Sequence, residues 1–156
     1  ESKPDRLLEV SPAFNLAVQS QDYILASPQK SYCRFLTEKL ASALPKSSLS
    51  GWKNNESFSF EILYSESKVY FKCVVSPGEQ ETRERLINAL KTVDGARATK
   101  SKHWSTVHTH THKININDEK YDDLNVLQQD IERMLAKEKD FIESVESAIL
   151  EEFPIA

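Results

Sequence analysis

Glycine is scarce in this chain: Gly51, Gly78 and Gly95 are the only three, each far from the next. A P-loop or a G-x-G-x-x-G turn needs clustered glycines so that backbone amides can approach phosphate, and both are therefore excluded. No G-x-S-x-G string exists for a nucleophile elbow, and no H-E-x-x-H string exists for a metalloprotease helix. Cysteine is scarcer still. Cys33 and Cys73 each sit inside an apolar pattern, YCRFL and VYFKCVV, and read as buried reduced thiols. No C-x-x-C spacing supports a thiolate metal site. Reduced thiols fit a cytoplasmic location, which is the expectation here. No apolar run approaches the roughly 18 residues of a membrane helix. The opening ESKPDRLLEV lacks the apolar core of a signal peptide and an initiator Met, so a fragment or a processed or trimmed product is expected.

What is present suits one α+β domain spanning all 156 residues. Three Ser-Pro pairs, Ser11-Pro12, Ser27-Pro28 and Ser76-Pro77, read as helix starts, with serine at the N-cap and proline in the first turn. Glu79 adds a capping box to the third. Helices are predicted over about Pro12–Leu25, Pro28–Leu44 and Pro77–Val93, after an extended segment at 1–10. Tyr32, Phe35, Leu36, Leu40, Ala43 and Leu44 supply the stripe of the second. Phe58, Phe60, Ile62 and Tyr64 alternate with Ser57, Ser59 and Glu61, and after the SESK turn Val69, Phe71, Cys73 and Val75 alternate with Tyr70 and Lys72. That is an antiparallel hairpin. A further β region covers about Arg97–Asn115. A long acidic helix, 121–153, closes the chain. The predicted order is α-α-β-β-α-β-(β)-α around a mainly antiparallel sheet.

Glu138 interrupts the apolar line of that last helix, which therefore either spans the sheet and overhangs or breaks near Lys137–Asp140. An overhanging half would suit self-association through Ile142, Val145 and Ile149. Charge is also uneven. Residues 28–102 carry 13 basic against 8 acidic side chains, net +5, and residues 117–156 carry 4 against 12, net −8. A nucleic-acid surface is one reading of the basic middle. Its candidates are Arg83, Arg85, Lys91, Arg97, Lys100 and Lys102, with Trp52, Tyr70 and Trp104 as stacking partners.

All four histidines fall between positions 103 and 112. On a strand His108, His110 and His112 share a face, together with Trp104, Thr106 and Ile114. Neighbouring histidines there lie roughly 6.6–6.8 Å apart, so two can converge on one zinc, whereas the first and third, roughly 13 Å apart, cannot join them on a flat strand. The reading set first is a partly covered strand face with no cofactor. A zinc site on His108, His110 and His112 is the alternative. Two E-x-K strings, Glu1-Ser2-Lys3 and Glu66-Ser67-Lys68, lie at the chain's edge and in the hairpin turn, where a nuclease metal site finds no support.

The stretch KVYFKCVVSPGEQETRERLINAL, then HWSTVHTHTH, then DDLNVLQQDIERML, resembles the C-terminal region of some bacterial PD-(D/E)xK nuclease-like proteins. The resemblance spans about Trp52 to Phe153 and is one of pattern. It implies an accessory or sensing domain, and without the family's catalytic carboxylates it carries no activity over. The function expected from the sequence is a non-catalytic binding or assembly domain. A protein partner or self-association is expected first, nucleic acid second, and no membrane. A metal-dependent enzyme or zinc module on the HTHTH strand is the rival.

Overall fold

A computed structural model of the chain describes residues 4–65, 67–97 and 103–155. Five strands form one antiparallel sheet in sequence order: β1 (Ile24–Leu25), β2 (Tyr32–Leu36), β3 (Phe58–Tyr64), β4 (Val69–Val75) and β5 (Ser105–His112). The helices are α1 (Pro4–Ser20), α2 (Glu38–Ala43), α3 (Gln80–Lys91) and α4 (Leu124–Glu152). The class is α+β, as the alternating and helical periods predict.

The hairpin forms at the predicted residues, with Phe60 opposite Cys73 and Ile62 opposite Phe71. Phe58, Phe60, Ile62 and Tyr64 of β3 and Val69, Phe71, Cys73 and Val75 of β4 turn to one face and are buried. Val10, Phe14, Ala17 and Val18 of α1, Leu86 and Leu90 of α3 and Leu127, Ile131, Leu135, Ile142, Val145 and Ile149 of α4 complete that core. Phe14 stacks on Tyr64 at 4.1 Å and ties α1 to the sheet.

Several expectations are corrected. Residues 4–10 are helical rather than extended, and Pro12 lies inside α1 instead of starting it. The buried face of α1 supplies burial that outweighs the backbone bond lost at the proline. Asp22, in the left-handed region at φ 63, ends the helix, and Tyr23 N–H reaches back to the Val18 carbonyl. The second predicted helix is two elements. Residues 32–36 are a strand because Arg34 lies across from Glu61 and Phe35 across from Phe60, partners that a helical period does not reveal. Thr37 then caps the short α2 through Leu40 N–H. The Ser76–Glu79 capping box does not form. Ser76 donates to the Glu56 carbonyl, Glu79 itself is the N-cap, and α3 begins at Gln80.

α4 is continuous over 29 residues, about 43 Å at 1.5 Å per residue, with no break near 137–140. It does not overhang. Ile142, Val145 and Ile149 are core residues of this chain and are not free for self-association. Among the described residues, no helix is long and apolar enough to cross a membrane.

Candidate functional site

The sheet's second face builds a groove. Cross-strand register sets Arg34, Glu61, Lys72 and Thr109 side by side, and Tyr32, Leu63, Tyr70 and Thr111 in the next row. Arg34 Nε donates to Glu61 Oε2 at 2.9 Å, and its Nη2 to Gln29 Oε1 at 2.9 Å. Its guanidinium lies between two rings, 4.9 Å from the Tyr32 centroid and 5.0 Å from that of Trp52. Burial pushes the Glu61 carboxyl up, while Arg34 and Lys72 pull it back. Arg34 is 6% exposed and Glu61 5%.

Two tryptophans roof this row. Trp52 is buried, Trp104 is 42% exposed, and their rings lie 5.1 Å apart. Gly51, at φ 79, permits the turn that brings Trp52 in, and a side chain there would meet the Trp104 ring at 3.1 Å. The resulting groove encloses about 460 Å³ and is walled by Tyr32, Arg34, Trp52, Glu61, Lys72 and Trp104 among others. Leu49, on the same loop as Gly51 and Trp52, is a further exposed apolar side chain.

Trp52, Tyr70 and Trp104, expected as stacking residues, therefore meet on one face. The cations expected beside them do not. Arg83 is buried and donates to the carbonyls of Val75, Ser76 and His103 and to Ser105 Oγ, tying α3 to the ends of β4 and β5. Arg85 bonds Glu152 and lies over the Phe153 ring, tying α3 to the end of α4. Lys91 and Arg97 are exposed. Lys100, Lys102 and the glutamates of both E-x-K strings lie outside the described residues. The cations of the groove are instead Arg34 and Lys72, which sequence spacing does not connect.

The histidines occupy the opposite, helix-covered face. β5 holds one extra residue, Val107, across from the Cys73–Val74 step. This bulge reverses the face of everything before it. Thr106 and Trp104 thus belong to the groove, not to the histidine row as a regular strand predicts. His108 is buried, and its Nε2 donates to the Leu90 carbonyl at 2.8 Å. Burial lowers its pKa, the Leu90 bond works against that, and His110 adds to the lowering. His110 Nδ1 and His112 Nε2 both reach the Glu138 carboxylate, at 2.8 and 2.7 Å. Glu138 is 5% exposed on α4. Burial raises its pKa, but the bonds from His112 and His110 outweigh this and hold the carboxyl below its ordinary value. The interruption in the apolar line of α4 is therefore the partner of the histidine strand. Among the described residues, no group of three histidine, cysteine or carboxylate side chains is placed to hold a metal ion.

Compared with known proteins, the chain matches no family model, no curated protein and no solved structure.

Proposed function

We propose that this chain is a non-catalytic binding domain whose protein partner docks on the open face of the sheet. One observation carries the reading: a half-exposed Trp104 lies against buried Trp52, in the same groove as a buried, fully engaged Arg34–Glu61 pair. Tryptophan, tyrosine and arginine in a recessed, rigid setting are the side chains that dominate binding energy at protein interfaces. Among the described residues, no histidine, cysteine or serine lines the groove, and its arginine is spent on neighbours, which favours recognition over nucleophilic chemistry. The resemblance to nuclease-associated proteins extends the reading to an accessory or sensing part of such a protein.

Affinity capture with the wild-type chain, Trp104→Ala and Leu16→Ala tests it. Leu16 is an exposed control on α1. A protein retained by wild type and Leu16→Ala but lost by Trp104→Ala is the expected result. Equal retention by all three would remove the groove from consideration.

A second reading, single-stranded nucleic acid, is favoured by the cation–aromatic pairs Arg34–Trp52 and Lys72–Tyr70 on this face. Both tryptophans of the chain line the groove, so intrinsic fluorescence reports its occupancy. Saturable quenching by a single-stranded oligonucleotide, weakened by salt and by Lys72→Ala, would place nucleic acid first.

A further inference from the structure

Resting on the docking reading above, we propose that the partner segment received by the groove is acidic: a peptide that sets an aspartate or glutamate against Lys72 and an apolar side chain against Trp104. The charged side chains of the groove lining are Arg34, Glu61 and Lys72. Arg34 and Glu61 cancel, because they are joined at 2.9 Å. Lys72 stands opposite Glu61 in the register of β3 and β4, yet among the described residues it is in no ion pair. Its Nζ lies 5.9 Å from the centre of the Tyr70 ring. The groove therefore offers an uncommitted positive charge.

The segments that frame the groove add to that sign. Lys30 follows Gln29 and Lys53 follows Trp52, and both lysines are exposed. Glu56, which ends the Trp52 loop, is 4% exposed, and both its carboxylate oxygens are bonded to Ser27. Glu56 and Glu61 are thus consumed inside the fold, whereas the lysines stay at the surface. Charges arranged in this way attract an acidic partner and turn away a basic one.

The apolar half of the partner's chemistry comes from Trp104. Its ring is 42% exposed, and a side chain laid on it removes the apolar surface of both from water. At about 460 Å³ the groove is near the lower end of ligand pockets, roughly 300–1,000 Å³, which suits one anchoring side chain and a neighbouring carboxylate. Single-stranded nucleic acid is the poorer match. It brings a phosphate with every nucleotide and needs a track of cations along its backbone. Arg83 and Arg85 supply no such track, since they are tied to β4, β5 and the end of α4.

The test is selection of random dodecapeptides displayed on phage against the immobilised chain, followed by calorimetric titration of the enriched peptide. The expected sequences carry aspartate or glutamate beside an aromatic or aliphatic residue. Their affinity should fall about tenfold in Trp104→Ala and about fivefold in Lys72→Gln, weaken as salt rises, and stay unchanged in Lys91→Gln. Neutral or basic sequences that still require Trp104, or an affinity unmoved by Lys72→Gln, would overturn the acidic partner and keep the docking groove. No enrichment, or peptides held equally by Trp104→Ala, would remove the groove itself. Oligothymidylate bound more tightly than the peptide, and weakened by Lys72→Gln, would overturn the proposal in favour of nucleic acid. A dimer seen by light scattering at rising concentration and dissolved by Lys72→Gln would overturn it in favour of the acidic α4 of a second copy.

Discussion

Arg34 and Glu61 face each other across β2 and β3, joined Nε to Oε2 at 2.9 Å, and both are withdrawn from water in the groove that Trp52 and Trp104 also wall. An ion pair so placed gives little net stability, because desolving both charges offsets their attraction. Breaking it is another matter. Glu61→Leu leaves Arg34 buried without its carboxylate, and a loss of about 3–5 kcal/mol is expected by urea denaturation. The double replacement Arg34→Met with Glu61→Leu should recover most of that loss. If the single and double variants are equally unstable, the pair is not the reason.

The pH dependence of stability follows from Glu138 and His108. The native Glu138 carboxyl is held below its ordinary value, 4.5, so its contribution is complete above that value and is lost as pH falls through the lowered native one. The native pKa of His108 is also lowered, from 6.5. As pH falls through 6.5 the unfolded chain takes up a proton that the folded chain refuses, and stability falls with it. Denaturation from neutral to acid pH should therefore show stability declining from just below 6.5, then again in the carboxylate range. Glu138→Gln should flatten the second decline and leave the first. A second decline undiminished in Glu138→Gln would assign it to other carboxylates.

Arg83 clamps α3 to the ends of β4 and β5. Arg83→Ala should cost about 2–4 kcal/mol, since it leaves several buried carbonyls without a donor. Exposed Lys91→Ala and Arg97→Ala should stay within about 0.5 kcal/mol of wild type. Thermal melts of the three variants separate these outcomes directly.

Ile142 lies in the monomer core, so Ile142→Asp should abolish folding rather than dissolve an oligomer. A buried unpaired carboxylate there should cost more than about 4 kcal/mol. Far-ultraviolet circular dichroism should show an unfolded chain. A folded variant of lower mass would instead restore Ile142 to an intermolecular contact.

Pro12 interrupts the hydrogen bonding of α1 on its exposed side. Pro12→Ala should raise stability, by up to about 3 kcal/mol, because alanine restores the missing N–H and removes the ring clash. An unchanged or lower melting temperature would mean that the chain's geometry at Pro12 is already relaxed.

The sequence by itself determined the elements whose period is local and long. The β3–β4 hairpin is legible in an alternation that only Leu63 and Val74 blur, and α4 in an apolar line that returns every three or four residues. Burial of one face is enough to specify such segments, whatever lies opposite. The Glu138 break in that line was visible too, but its meaning was not. Only the tertiary structure decided that β2 is a strand, since Tyr32–Leu36 fits both periods and the choice rests on Glu61, 27 residues away from Arg34. Only the structure showed that Val107 bulges. One extra residue exchanges the two faces of a strand, and this sent Trp104 and Thr106 to the groove and left the histidines with Glu138. Side-chain periodicity records which residues share a face, but which face meets which partner is settled by long-range pairing.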